Sequence, residues 1–261
     1  MPLIAQLSDP HLVAPGKLLM RSVDTGAMLE RALLQAARLQ PRPDLVVISG
    51  DLVNRGRMDE YARLRDLLAP LPCPWQLMPG NHDDRANLRA AFPNQGFGNG
   101  DLCCVRRIVA GHLLLFLDTL IPGEEGGEIG DRHLRWLDDA NDADLPALLF
   151  LHHPPFPTGM PPLDAIGCRG AEHLASWLRA QPNVHAIACG HVHRTIFSRF
   201  ADRPAWTAPS VAHQIAFDLT GRPQDLAWCR EPPGFLVHDL KTDHVITHLI
   251  PIGDFPATRY G

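Results

Sequence analysis

The stretch from Asp44 to Asn54, Asp-Leu-Val-Val-Ile-Ser-Gly-Asp-Leu-Val-Asn, constrains the fold more than any other part of this 261-residue chain. Leu45 to Ile48 is a short, unbroken apolar run rich in β-branched residues. Such a run reads as a strand covered on both faces, the habit of parallel sheets flanked by helices. Ser49-Gly50 then lets the chain turn with no Cβ in the way and presents Asp51 at the C-terminal edge of the strand. Open α/β sheets place their ligand sites along that edge. A Gly-Asp pair alone is a common turn, so the weight of the pattern rests on what else in the chain repeats it.

Four other segments do. Leu3 to Leu7 is a short first strand followed by Ser8-Asp9-Pro10-His11. Asp and His two residues apart in extended chain face the same side and can reach one ion. Asp24 is placed to cap a helix over about 25–39, with Met28, Leu29, Ala32, Leu33 and Ala36 on one face, and Pro41 and Pro43 stop it. A second helix, about 57–69, carries Met58, Tyr61, Leu64 and Leu68 at helical spacing and ends at Pro70. Trp75 to Met78 is the next strand, running into Pro79-Gly80-Asn81-His82-Asp83. This β-α-β-α-β start implies right-handed crossovers and parallel strands.

Residues 102–109 and 112–118 read as a hairpin split at Ala110-Gly111. Residues 122–130, with four glycines, read as a flexible loop whose Glu124 and Glu125 are solvated. Asp131 is placed as the cap of a helix carrying Leu134, Trp136 and Leu137. Ala147 to Leu151 is another buried strand ending in His152-His153; a helix near 170–180 follows, then Val184 to Cys189, ending in Gly190-His191-Val192-His193. Beyond this the helical pattern stops and short extended pieces alternate with Pro/Gly turns. The chain thus divides into an α/β core, 1–195, and a β-rich region, 196–261, which could finish a second sheet, cap the site or pair with another subunit.

Asp9-x-His11, Gly50-Asp51, Gly80-Asn81-His82-Asp83, His152 and Gly190-His191-x-His193 therefore all follow strand-like runs and converge on one sheet edge. Histidine is abundant, at 14, and its concentration in these motifs points to metal. The six cysteines show no Cys-x-x-Cys spacing and read as reduced thiols. A net charge of −5 argues against a nucleic-acid polymer or an anionic membrane as partner. With no apolar run of transmembrane length and no leader-like N-terminus, the expected location is the cytoplasm.

The ordered pattern D-x-H … G-D … G-N-H-D … H … G-H-x-H resembles that of the calcineurin-like metallophosphoesterases, over residues 8–193. Ser-Gly-Asp-Leu-Val-Asn54, Pro-Gly-Asn-His-Asp-Asp84, His-His-Pro-Pro155 and Ala208-Pro-Ser-Val-Ala-His-Gln214 are similar to the branch that holds class III cyclic nucleotide phosphodiesterases and glycerophosphodiesterases. The resemblance implies a four-layer α/β/β/α sandwich, a binuclear metal site, and a β-rich C-terminal region that caps the site and contributes to dimerisation. By position it implies Asp9, His11, Asp51 and His193 around one ion, and Asn81, His152 and His191 around the other, with Asp51 bridging. It also places His213 near the substrate. Carboxylate and amide oxygens mixed with imidazoles suit Mn²⁺, Fe²⁺, Zn²⁺ or Co²⁺ better than Ca²⁺ or Cu(I).

The expected reaction is in-line attack on phosphorus by a metal-bound hydroxide, with His82 touching a non-bridging oxygen or protonating the leaving alkoxide. Asn81, His82 and His213 are the expected substrate contacts. Asn54 and Arg55 are candidates to line the pocket, and Met20 and residues 212–217 to shape its leaving-group side. Asp83 is expected to orient a histidine; His153 is open between a site role and a structural one. The expected substrate is a small phosphodiester, a cyclic nucleotide such as 3′,5′-cAMP or a glycerophosphodiester. Phosphomonoesterase or protein phosphatase activity, dinucleoside-polyphosphate hydrolysis, and a non-catalytic interaction module are the alternatives.

Overall fold

The computed structural model describes residues 1–256, 258 and 259. The first βαβαβ unit runs β1 (Leu3–Leu7), α1 (Thr25–Ala37), β2 (Leu45–Ser49), α2 (Met58–Leu68) and β3 (Trp75–Met78), with α3 (Arg85–Ala91) after it. A second unit holds β4 (Val105–Val109), β5 (His112–Leu117), β6 (Gly127–Glu128), α4 (Asp131–Ala140), β7 (Ala147–Leu151), α5 (Pro161–Asp164), β8 (Cys168–Arg169), α6 (Ala171–Ala180) and β9 (Val184–Cys189). The remainder is β10 (Ile196–Phe200), β11 (Arg203–Thr207), β12 (Gln214–Ile215), β13 (Trp228–Cys229), β14 (Gly234–Leu240) and β15 (Val245–Pro251).

Two sheets organise the molecule. The first has the order β15-β14-β1-β2-β3, with β1, β2 and β3 parallel and β14 antiparallel to β1. The second has the order β10-β11-β9-β7-β5-β4, with β5, β7, β9 and β11 parallel and antiparallel β4 and β10 at its edges. The region after residue 195 thus adds two strands to each sheet.

Strand periodicity explains how the sheets pack. On the second sheet, Leu114, Phe116, Leu148, Phe150, Ala186 and Ala188 join the core that contains β1, β2 and the buried faces of α1 and α2. Their neighbours Leu113, Leu115, Leu117, Leu149 and Leu151 face away and pack with Leu137 of α4 and Leu174, Trp177 and Leu178 of α6. Both faces of the second sheet are buried, one against the first sheet and one against helices. Phe116 and Phe150 stack at 5.0 Å in that interior.

Several local expectations are corrected. Helix α3 was not foreseen: no element was assigned to its seven residues, which begin one residue past the Asn-His-Asp motif; Asp84 caps it through Asn87 N–H. The strand expected from Leu102 begins at Val105. Asp131 is the first helical residue of α4, not its cap: Gly130 occupies that position, and its N–H is bound by His133 Nδ1 at 2.9 Å. The loop 122–130 is tied down, because β6 pairs in parallel with β8. Asp24 does cap α1, accepting from Ala27 N–H.

Candidate metal centre

The polar groups after β1, β2 and β3 meet those after β7 and β9 where the C-terminal ends of the two sheets face one another. The local backbone is unusual there. Asp9, His11, Asp51, His191 and His193 all have positive φ, between 43° and 72°. For non-glycine residues this costs about 1–2 kcal/mol each and is a mark of functional sites. Gly50, at φ 98°, lets the chain turn out of β2, and a Cβ there would collide with the His152 ring. A Cβ on Gly80 would strike the Asp51 carboxylate, so the close approach of the two loops requires glycine at both places.

Donor atoms of Asp9, His11, Asp51 and His193 lie within 4.8 Å of one another, all buried. His11 Nε2 is 2.9 Å from His193 Nε2 and 3.4 Å from Asp51 Oδ2. Asp51 Oδ1 faces the other way and lies 3.4 Å from His152 Nε2. Ring orientation is set from behind. His152 Nδ1–H donates to Ser49 O at 2.8 Å and His193 Nδ1–H to His213 O at 3.0 Å, which turns each Nε2 into the site. His191 is turned the opposite way: its Nε2–H donates to Ile166 O at 3.1 Å. Both Asp9 oxygens accept from His191 N–H.

Two atoms test whether this arrangement suits a cation. Asn81 Oδ1 and His152 Nε2 are buried with no hydrogen-bond partner among the described residues. Such atoms are costly unless something outside the protein binds them. Together with two buried carboxylates and inward ring nitrogens they form the oxygen–nitrogen donor set of a divalent metal site. The residues fit divalent metal ions.

The electrostatics agree. Burial resists the charge of Asp9, but His193 and His152 outweigh it and lower its pKa to about 2. Burial likewise opposes ionisation of Asp51, and His152 and His11 hold it well below the ordinary value. Burial disfavours a charged His152, yet the Asp51 carboxylate raises it to about 9. Burial dominates at His11, His191 and His213 and keeps those rings neutral, His191 at about 4 and His213 at about 3. Burial also works against a charged His82, but Asp51 outweighs it and raises the pKa.

His82 stands at the mouth of this cluster, its ring 4.6 Å from that of His11. Its Nδ1–H donates to Asn54 O at 2.9 Å, leaving Nε2 without a partner among the described residues, and its backbone N–H donates to Asp51 Oδ1. The His213 ring lies 4.6 Å from His193 and 5.5 Å from His11, with Nδ1 buried and unpartnered among the described residues. The cleft above the cluster, about 180 Å³, is lined by Asp51, Asn54, Asn81, His82 and His213, and its walls include Met20, Ile166 and Leu226. Arg55 does not line it.

Asp83 orients no histidine. Its carboxylate accepts from Leu52 N–H, Gly80 N–H and Tyr61 O–H, and so clamps the two loops that carry Asp51 and Asn81. Both ring nitrogens of His153 are engaged, Nε2–H donating to Glu125 O at 3.2 Å and Nδ1 accepting from Thr119 Oγ1–H at 2.8 Å, while His153 also stands with His152 and His191 in a buried group whose donor atoms lie within 4.8 Å of one another. Through its bond to His153 the Glu125 backbone is anchored at the edge of the cleft, which the residue helps to line, while Glu125 itself is exposed as expected. Thr119, Glu125 and Ser210, whose hydroxyl donates to Asp9 O, were missed. Thr119 follows an apolar run and Ser210 lies within the Ala208–Gln214 stretch quoted above, so two of the three carried a sequence signal that was not assigned a role.

Among proteins of known description, a glycerophosphodiester phosphodiesterase, GpdQ, of Enterobacter lignolyticus is 33% identical over 244 residues, covering 90% of this chain and 86% of its own. The 3′,5′-cyclic adenosine monophosphate phosphodiesterase CpdA of Pseudomonas aeruginosa is 33% identical over 218 residues, covering 82% and 78%. Among solved structures, a dimetal phosphatase from Danio rerio superposes with a TM-score of 0.70 at 17% identity, over 97% of this chain and 98% of that one. The profile of the calcineurin-like phosphoesterases matches residues 2–195. The motifs of that pattern come from the C-terminal ends of two sheets rather than from the one sheet edge expected, and they meet in a single cluster; the chain belongs to the calcineurin-like phosphoesterase family.

Proposed function

We propose that the protein is a binuclear metal-dependent phosphodiesterase acting on small phosphodiesters, of the cyclic nucleotide or glycerophosphodiester class. The observation that carries this is the Asp51 carboxylate, which turns one oxygen toward His11 and the other toward His152, beside the unpartnered Asn81 Oδ1. Asp9, His11, Asp51 and His193 would hold one ion, and Asp51, Asn81, His152 and His191 the other, with Mn²⁺, Fe²⁺, Zn²⁺ or Co²⁺ as suitable occupants. Bound there, such ions lower the pKa of attacking water and polarise the phosphoryl group. The relatives' names support the diester over the monoester.

The chain's own residues supply the rest. Asn54 O fixes His82 with Nε2 toward the cleft, and the Asp51 carboxylate favours its protonated form. His82 Nε2–H is therefore the acid that protonates the departing alkoxide, a role typically contributing about 10²–10⁴-fold. The buried, neutral His213 ring binds the substrate beside it. The Asp83 clamp keeps the Asp51 and Asn81 loops in register while substrate exchanges. We further assign residues 1–195 as the catalytic core and 196–261 as the region that completes the sheets, caps the site and offers a homodimer contact.

The test is initial rates of Mn²⁺-loaded protein on an aryl phosphodiester and the matching monoester, with cAMP and a glycerophosphodiester alongside. A diester preference of about tenfold or more is expected. A monoester preference would move the protein to the phosphatases and overturn the proposal.

A further inference from the structure

Beside the cleft lies a larger groove, about 450 Å³, that shares Leu19, Met20 and Asn54 with it. The cleft alone, about 180 Å³, is below the roughly 300–1,000 Å³ usual for a small-molecule site, and the two together fall inside that range. The groove is firmly built. Asn54 N–H donates to Leu12 O, Leu19 and Val23 exchange backbone hydrogen bonds, and Arg63 Nη1 holds Val13 O and Ala14 O from α2. Its floor is continuous with the site, because the carbonyl that positions His82 belongs to Asn54.

The charges differ between the two compartments. Among the described residues no Lys or Arg lines the cleft, whereas Lys17, Arg55 and Arg57 line the groove. Arg57 is paired with Asp59 at 3.0 Å, and Glu60 accepts from the backbone N–H groups of Arg55 and Arg57. The Lys17 and Arg55 side chains have no hydrogen-bond or ionic partner among the described residues. Three cations against Asp59 and Glu60 leave the groove with a net charge of +1.

We propose that this groove is a substituent-binding subsite in which Lys17 and Arg55 select phosphodiesters whose ester group carries a further anion, a carboxylate or a second phosphate. The inference rests on the phosphodiesterase reading and extends it to specificity. The scissile phosphate sits over Asp51 and Asn81, the substituent passes Met20 and Asn54, and its anion meets the two free cations. Met20, 44% exposed with φ 49°, forms the ridge between the compartments.

The test compares glycerophosphoserine with glycerophosphoethanolamine, which differ by one carboxylate, using the full-length Mn²⁺-loaded protein. The serine ester should be favoured about tenfold in kcat/KM, and raising the ionic strength should shrink that preference, since exposed charges are screened. In the Lys17→Gln/Arg55→Gln double variant the ratio should fall to about twofold or less; as a ratio, it is insensitive to partial loss of folded or metal-loaded protein. Equal rates in the wild type, or a preference that survives the double substitution, would overturn the subsite. Were neither ester turned over, their Kd values measured by calorimetry are read in the same way. Failure to cleave an aryl diester would instead sink the phosphodiesterase reading itself, and the subsite with it.

Discussion

The two halves of the histidine–carboxylate cluster are built differently. The half around Asp9, His11, Asp51 and His193 is rich in charge: two buried carboxylates are kept ionised among closely spaced rings. The half around Asn81, His152 and His191 brings no carboxylate of its own and shares only Asp51 with the first. It depends on orientation, with His152 aimed by Ser49 O, His191 by Ile166 O, and two atoms left unpartnered among the described residues. The first half should therefore retain a cation through damage that empties the second. Asp51 is the exception, because its two oxygens serve one half each.

That exception gives the largest expected effect. Asp51→Ala should bring metal content, measured by plasma emission, close to zero and lower diester hydrolysis by more than roughly 10³-fold, beyond the loss of a single stabilising group. A variant that keeps both equivalents would contradict the bridging role. Asn81→Ala should separate the halves instead, leaving one equivalent and reducing the rate by roughly 10²–10³-fold. Loss of both equivalents would mean the halves do not bind independently.

His82 tests the chemistry without touching either half. His82→Ala should keep both equivalents and lower kcat by about 10²-fold on an alkyl diester, the lower end for a general acid. On a nitrophenyl diester, whose leaving anion needs no proton, the loss should be much smaller. Equal losses on the two substrates would make His82 a binding residue only.

What the sequence made legible, and what it hid, follows the same division. Asp9, Asp51, Asn81, His152 and His191 each follow an apolar run, and a glycine directly before three of them marks the tight turn. Local order along the chain was enough to bring them together. The supports were hidden because they come from distant positions with ordinary local patterns. His153 sits beside His152, yet its partners, Thr119 and the Glu125 carbonyl, are 34 and 28 residues away. Asp83 was assigned a histidine to orient, and only the packing of α2 reveals Tyr61 as its partner. In the fold, β2 and β7 were plain from continuous or near-continuous apolar runs, and β1 and β9 from mostly apolar ones broken only by Gln6 and His185. Two-residue β6 and β8 are too short to carry any periodicity, and they become strands only by meeting one another.

The orientation-dependent half also leans on a buried chain of side chains. Gln6 Nε2–H donates to Ser49 Oγ at 2.8 Å and to Cys189 O at 2.9 Å, and the Ser49 carbonyl aims His152. Gln6→Leu removes both donors, leaving Cys189 O with Ala208 N–H alone and Ser49 Oγ with Ser8 and Leu7, and should weaken one metal equivalent by roughly 10–100-fold, as outer supports of metal ligands do. Calorimetric titration should show the other equivalent unchanged. Equal weakening of both would erase the contrast between the halves.

The smallest effect concerns the far end of that chain. His238 Nε2–H donates to Gln6 Oε1 at 2.9 Å and Nδ1 accepts from Thr247 Oγ1–H at 2.9 Å, so the neutral ring is fully used. Burial lowers its pKa to about 3. A histidine depressed in the folded state contributes stability that is present above its unfolded pKa, about 6.5, and is lost as pH falls toward about 3. Between pH 7.5 and 5.5 that loss amounts to about 1.4 kcal/mol. The comparison is the denaturant midpoint of wild type and His238→Gln, both stripped of metal, at those two pH values. Wild type should lose about 1.4 kcal/mol more than the variant over the interval. Parallel pH dependence would mean that the ring is protonated at no greater cost in the folded state, and that the β14 end of the chain does not help to hold His152 in place.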